Sequence, residues 1–593
     1  TFHPGYDEVV GWHPTKNKII FQAYRSNFPR LSQLYMISPD GTGLEQLIFH
    51  EAANGSFSPD GKMMAYNKSS REFRTWKRYK GGRAQEVYLY NFENDDLKNL
   101  SNFEGTDRIP MWVDNKIYFS SDRDRFLNLF SVDPESGSID QLTQHKEYDI
   151  RRPSAGKDNI IYELGPDLYV YDIKSNTTSK VDIKIFNDAP ELRPYIKDVK
   201  DYITGIKSSP KGDYALVVAR GEVFTVPEKD DITRNLTKSS GAHDKDAVWS
   251  PDGKQIAYIS DKSGEFEIYV SDSEGKKDAV KLTSFKDGYR HTLKWSPDGT
   301  KLAFTDQTLT LYIVDVKTKK LTKVDKAHYE NIDVSMDLKP IYDFNWSPNS
   351  QYIAYSKMDE SLLNKVYNYS LNEKKSHVIS TYFYDFHPVF SKDGNYLFFV
   401  SNRTFNPTYC DVEWEMVYKD LAGIYCVTLR PDVPSILSKD AQDFKESEGK
   451  IDFKNISKRI EALPLEAGNY RYLSAGNEGL YFLNKKDGDF NRFEFRVPDH
   501  MDLHCFNFKS KESEELVKEV QSYDLSFDGS RIVYMKKDKA YFMKSSGGDA
   551  EAFKLAGLHM NFDPKEEWKQ IYHEAWRHER DFYYEAGMHG QDW

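Results

Sequence analysis

An all-β fold of two tandem β-propellers, ending in a short α-helical segment, is what this sequence predicts. Three observations predict it: a turn sequence repeated along most of the chain, a composition rich in aromatic residues, and the grouping of the repeats into two unequal series. The repeat is clearest at Trp249-Ser250-Pro251-Asp252-Gly253, Trp295-Ser296-Pro297-Asp298-Gly299 and Trp346-Ser347-Pro348-Asn349-Ser350. Weaker copies are Phe57-Ser58-Pro59-Asp60-Gly61, Ser209-Pro210-Lys211-Gly212, Phe390-Ser391-Lys392-Asp393-Gly394 and Leu525-Ser526-Phe527-Asp528-Gly529.

Each residue type in the repeat has a physical reason. Pro fixes φ at the second position of a tight turn, Asp or Asn tolerates the next, and Gly supplies the positive φ that returns the chain. Behind the turn runs an alternation apolar on both faces, as in Ile256-Ala257-Tyr258-Ile259, which predicts a strand buried between neighbouring sheets. A second strand pair follows, giving about four short strands in roughly 40–50 residues, the size of one propeller blade. A sandwich of unrelated hairpins has no reason to repeat a turn at that interval.

Composition agrees. With 593 residues the chain exceeds what one core organises. Its 40 Tyr and 36 Phe bring aromatics to 15%, as suits strands. Acidic residues number 93 against 81 basic, a net charge of -12, which disfavours nucleic acid and anionic membrane as main partners. No apolar run approaches the roughly 18 residues of a membrane span, so no membrane insertion is expected. The opening Thr1-Phe2-His3-Pro4-Gly5 has neither Met nor a signal-like stretch and reads as a processed or non-native start. Cys410, Cys426 and Cys505 are odd in number and unrelated in spacing, so buried free thiols are expected rather than a disulfide framework or a metal site.

The first propeller is read over 1–186, with blades at 11–47, 55–100, 110–142 and 152–181. Because the opening residues resemble the last strand and exit turn of an earlier blade, about four of six blades are expected here. The second is read over 195–560 as seven blades, beginning near Tyr202, Ala247, Leu293, Phe344, Pro388, Tyr470 and Leu525. The fifth of these carries an insertion at 405–423, and a charged stretch, 431–463, runs between the fifth and sixth; connections of that length suit partner contacts, with disordered tips as the plain alternative. From Asp563 the pattern changes. Asp563-Pro564-Lys565-Glu566 is a helix start, with Asp as N-cap, Pro at the first helical position and Glu placed to answer the cap. Trp568, Ile571, Tyr572, Ala575, Trp576, Phe582 and Tyr583 form an apolar stripe that predicts burial against a partner surface.

Searching for chemistry yields no nucleophile elbow G-x-S-x-G; Ser154-Ala155-Gly156 and Ser474-Ala475-Gly476 read as blade turns. His573 and His578 are five apart, about 140° round a helix, and cannot share a metal ion. No catalytic residue, metal site or cofactor is expected in this chain. The most conspicuous polar cluster is 71–83, where six basic residues alternate with aromatics. It suits a peptide carboxylate or the acidic face of another domain, and a solvated loop is the plain alternative.

The tail 567–584, Glu-Trp-Lys-Gln-Ile-Tyr-His-Glu-Ala-Trp-Arg-His-Glu-Arg-Asp-Phe-Tyr-Tyr, with Met588-His589-Gly590-Gln591-Asp592-Trp593, resembles the start of the helical catalytic subdomain of tricorn proteases. The stretches 71–82, 402–407 and 467–470 resemble the same family. The resemblance implies a serine peptidase of family S41: a six-bladed propeller, a seven-bladed propeller, a helical segment, a PDZ domain and a catalytic core, assembled as a homo-oligomer, a hexamer in the family. Peptides would reach the catalytic site through the seven-bladed channel and leave through the six-bladed one. The family's catalytic His and Ser come later than Trp593. Archaeal members carry an adjacent Arg pair just before the third blade that anchors a substrate carboxylate; the matching stretch 2–10 has none. Arg25, Arg30, Arg71 or Arg74 are candidate replacements, with Lys77 and Arg78 as further candidate substrate contacts. The resemblance implies a soluble protein, cytoplasmic or periplasmic. The alternative is a non-enzymatic TolB-like propeller scaffold binding protein partners; a prolyl-oligopeptidase plan, with one propeller, fits two blade series poorly.

Overall fold

The computed structural model describes all residues except 2, 26–30, 71–78, 230–231, 329–342, 410–413, 443, 445–448 and 486–500. The chain divides into two compact units, Thr1–Asn187 and Asp188–Trp593. Both are built of four-stranded antiparallel sheets whose strands follow one another in sequence, the blade arrangement of a propeller. Among the described residues the first unit holds four such sheets, blades 1–4, spanning 7–46, 55–99, 107–141 and 150–180. The second holds seven, blades 5–11, spanning 203–235, 244–281, 290–326, 344–378, 384–462, 470–520 and 522–552.

The repeated turn sits between the inner strand of a blade and the next. In blade 6 the Ser250 hydroxyl donates to Asp252 Oδ1 (2.7 Å) and accepts from the Gln255 N–H (3.0 Å). Asp252 also accepts from the Lys254 N–H (3.1 Å), and Gly253 takes φ +72°. Serine is thus the hub of the turn, which the conformational reading of Pro, Asp and Gly did not reveal. The same hydroxyl-to-carboxylate bond recurs at Ser58, Ser296, Ser391 and Ser526. The preceding Trp staples neighbouring blades: Trp295 Nε1 donates to the Val248 carbonyl (3.4 Å) and Trp346 Nε1 to that of Lys294 (3.1 Å).

Cores lie in the seams between sheets, because the second strand of each blade, such as Gln255–Ser260, is buried on both faces. Seven seam clusters close the second unit into a ring. One joins Leu216 and Val218 of blade 5 to Ile256 of blade 6, and the last joins Val533 and Phe542 of blade 11 to Val217 and Phe224 of blade 5. Closure is reinforced by the strand Tyr195–Asp198, which pairs antiparallel with His559–Phe562, so both ends of the ring are sewn together. Three clusters join the four blades of the first unit.

Two expectations change. The stretch 431–463 belongs to blade 9: its end, Ile460–Ala462, pairs with Ala422–Thr428 as that blade's fourth strand. Val433, Ile436 and Ile456 are buried along the excursion, which ties a connection that sequence alone reads as a linker. The insertion at 405–423 contains a small hairpin, Pro407–Tyr409 with Met416–Tyr418.

Helix α1, Pro564–Phe582, begins as the sequence predicts, with the Asp563 carboxylate accepting from the Lys565 N–H (3.0 Å). The Asp563 N–H is answered by Ser240 Oγ (2.7 Å) rather than by Glu566. Its docking follows the expectation only in part: of the apolar stripe, Phe582 packs on Tyr289 and the core between blades 6 and 7. The rest of the face on blades 5–7 is polar: Glu567 meets Arg220, Gln570 and Arg577 meet Asp261, Glu574 meets His243, and Asp581 accepts from the Gly288 N–H. Trp568, Ile571 and Tyr572 remain exposed. The reason is chemical: the strand-connecting loops beneath the helix present carboxylates and N–H groups, and Arg577, 4% exposed, fills the gap between them. Burial pushes the Glu574 carboxyl up, but hydrogen bonds from His243 and Gln570 outweigh it and hold it at about 2. His573 is exposed while His578 packs on Tyr289, so the two do not converge. Cys426 and Cys505 are buried free thiols, the latter pushed up to about 11 by burial; Cys410 lies outside the described residues. Among the described residues, no helix is long and apolar enough to cross a membrane.

Candidate functional site in the axial channel

The inner strands of blades 5–11 surround the axis of the second unit, and the repeated turn gives each of their residues a level. Four residues before the turn serine, or Gly476 in blade 10, stand Gly205, Asp246, Thr292, Asp343, His387, Tyr472 and Ser522. Two residues before it stand Lys207, Val248, Lys294, Asn345, Val389, Ser474 and Asp524.

The first level is a row of β-bulges. Register shifts between Lys245 and Val248, His291 and Lys294, Phe386 and Val389, and Arg471 and Ser474. Asp246, Thr292, His387 and Tyr472 accordingly adopt φ of +50°, +52°, +51° and +54°. Such values are unfavourable for non-glycine residues, most of all a β-branched one, and persist only where the surroundings compel them. A bulge also takes a backbone N–H out of the ladder. Here the neighbouring blade answers it. The Thr292 N–H donates to Asp246 Oδ2 (3.3 Å), the His387 N–H to Asp343 Oδ2 (3.1 Å), and the Tyr472 N–H to His387 Nδ1 (2.7 Å). With Nδ1 accepting, the imidazole carries its proton on Nε2, 3.1 Å from Asp343 Oδ1. Burial would raise the Asp343 carboxyl, but its contacts with His387 outweigh that and lower it.

The second level leaves a charge over. Lys207 pairs with Asp524 (3.0 Å), which also accepts from the Ser208 N–H (2.8 Å). Lys294 Nζ donates to the Phe344 carbonyl (2.6 Å) and lies 5.3 Å from the centre of the Phe344 ring. Among the described residues it has no carboxylate partner. Burial, and then the like charge of Lys207, push its pKa down to about 8, with Asp343 and Asp524 pulling the other way. These groups come from blades 5, 8 and 11. Blade 11 is three places from blade 7 round the ring, so Lys294 senses charges from beyond its neighbouring blades.

Of the basic residues singled out in sequence, Arg25 is engaged: its guanidinium holds Asp7 (2.5 and 3.2 Å) and covers the rings of Phe21 and Tyr35. Arg30, Arg71, Arg74, Lys77 and Arg78 lie outside the described residues. Blade 2 holds a cavity of about 490 Å3 whose lining includes Lys68, Lys80 and Arg83 but also Glu51, Glu86 and Glu104, so its charges balance. Sequence reasoning missed an adjacent pair, Arg151 and Arg152, on the inner strand Ile150–Ala155 of blade 4. Both are exposed, Arg152 stands at a bulge with φ +45°, and its guanidinium lies 3.5 Å from the Glu163 carboxylate. The signal was the Arg-Arg doublet itself, hidden inside a strand-length window. For a cation, Asp502, His504 and Glu515 bring one ligand atom each to within 4.8 Å of one another, although Asp502 already accepts from the Glu519 N–H and His504 stacks on Phe482.

Comparison with known proteins gives this geometry a family. The tricorn protease N-terminal β-propeller domain matches residues 1–177, the tricorn protease second β-propeller domain 203–546, and the tricorn protease C1 domain 564–593. A tricorn protease homologue of Saccharolobus solfataricus is 24% identical over 587 residues, covering 96% of this chain and 52% of that protein. The tricorn protease of Thermoplasma volcanium is 26% identical over 520 residues, covering 86% and 49%. A crystal structure of the tricorn protease superposes with a TM-score of 0.83 at 20% identity, covering 98% of this chain and 56% of that one. The chain thus spans about half the length of the curated relatives it matches. On these matches, the second propeller's alone covering more than half of the sequence, the chain belongs to the tricorn protease family.

Proposed function

We infer that this chain is the propeller region of a serine-type peptidase and that its second propeller admits and positions peptides for a catalytic region outside these 593 residues. The observation that carries this reading is the closed ring of seven blades with a polar, bulge-built lining directed at its axis. An extended peptide presents an N–H and a C=O at every residue and needs polar neighbours wherever it leaves bulk water. The tricorn relatives, named as proteases, support the reaction class. The chain itself contains no nucleophile elbow.

The same reading extends to the first unit and to the helix. Three seams for four blades, with Tyr6, Val9 and Trp12 exposed on blade 1 and Tyr148 and Ile161 on blade 4, support a larger first ring of about six blades. Exposed Trp568, Ile571 and Tyr572 on α1 support a following helical domain, with PDZ and catalytic parts beyond it and a homo-oligomeric assembly. Arg151 and Arg152 replace Arg25 as the pair to test for carboxylate anchoring in the first propeller.

The test is hydrolysis of short fluorogenic peptides. The full-length protein should cleave them and be silenced by a serine-directed inhibitor, while the 593-residue chain alone should not. Inhibitor-sensitive cleavage by the 593-residue chain would overturn the reading.

A further inference from the structure

We propose that Lys294 forms a carboxylate-binding site on the axial lining of the second propeller, taking the C-terminal or side-chain carboxylate of a peptide. The inference rests on the peptide-channel reading and adds a chemical preference to it.

The charges at this level do not cancel locally. Asp524 is committed to Lys207 and to the Ser208 N–H. Asp343, one level away, is committed to the His387 N–H and to Nε2 of the same ring. Asp246 holds the Thr292 N–H. Among the described residues, each of these carboxylates thus already accepts from a fixed donor. The Lys294 ammonium has three protons, and among the described residues the Phe344 carbonyl is the one acceptor that receives one. The remaining residues of its level, Val248, Asn345, Val389 and Ser474, add no charge. An ammonium this short of acceptors in confined surroundings gains most from an incoming carboxylate, which supplies both the opposite charge and the missing acceptor oxygens.

The groups facing Lys294 also set a pH window. Lys207 from blade 5 lowers its proton affinity, and Asp343 from blade 8 and Asp524 from blade 11 raise it; burial is the largest influence and lowers it, to about 8. The ammonium is accordingly present below that pH and lost above it. Carboxylate affinity should follow.

The experiment uses the 593-residue chain and three fluorescein-labelled peptides of one neutral sequence: a free C-terminus, a C-terminal amide, and an amide with one internal Glu. Binding is read by anisotropy at pH 6.5 and pH 9.5. At pH 6.5 at least one carboxylate-bearing peptide should bind on the order of 10-fold tighter than the neutral amide, and which one does so identifies the carboxylate. The advantage should vanish at pH 9.5. Lys294→Gln should abolish it at pH 6.5, and Lys294→Arg, which stays charged, should extend it to pH 9.5. Thermal melting of both variants shows that they fold. Equal binding of all three peptides, or a preference untouched by Lys294→Gln, overturns the carboxylate site and leaves the channel reading standing. No binding of any peptide overturns both.

Discussion

The two levels of the axial lining differ in how completely their polar groups are answered. Four residues before the turn, the bulged N–H groups of Thr292, His387 and Tyr472 each find an acceptor on the preceding blade. Two residues before it, Lys207 and Asp524 satisfy one another while Lys294 has no carboxylate partner among the described residues. The first level holds blades together; the second retains interaction energy for something outside the chain. A polar residue on a propeller axis is thus informative only after its partners have been counted.

Breaking the satisfied level should have the largest effect. Asp343→Ala strands the His387 N–H and its imidazole proton together and should cost roughly 3 kcal/mol of stability, read as a lowered denaturant midpoint. An unchanged midpoint would remove Asp343 from the blade-locking role. Lys294→Met should act in the opposite direction, stabilising by about 1 kcal/mol at pH 7. A lysine whose folded pKa is depressed weakens the fold most below about 8, and the penalty disappears as pH rises past its unfolded value near 10.4. The gain from Lys294→Met should therefore be full at pH 7 and absent by about pH 11. A pH-independent gain would mean packing rather than charge. Thr292→Gly should have the smallest effect, a gain of about 0.5 kcal/mol as relief of positive φ slightly exceeds the added chain entropy. A clear loss would show that the Thr292 side chain, not its backbone, maintains the level.

Much of the fold was legible because Trp249-Ser250-Pro251-Asp252-Gly253 and its copies encode their conformation locally. The same turns revealed two series and the positions of the inner strands. Residues 431–463 were misread because the three-residue strand Ile460–Ala462 carries no periodic signal and is placed by its pairing with Tyr425–Val427. Helix α1 was recognised from its cap, yet apart from Phe582 its docking contacts are mostly polar. Hydrophobicity marks Trp568 and Ile571, whereas the carboxylates and N–H groups that receive Arg577 and Asp581 come from loops roughly 300 residues earlier. The axial site was invisible for a related reason. Lys207, Lys294, Asp343 and Asp524 are spread over more than 300 positions and converge only when the ring closes.

The most direct test of the channel account is to obstruct the axis. In the full-length protein, Asn345→Cys, at the level of Lys294, is coupled to a bulky maleimide and kcat/KM for a fluorogenic peptide is measured before and after labelling, with identically treated wild type as control. Labelling should lower kcat/KM at least about 10-fold in the variant and leave the wild type unchanged. Undiminished hydrolysis by the fully labelled variant would contradict passage of peptides along this axis.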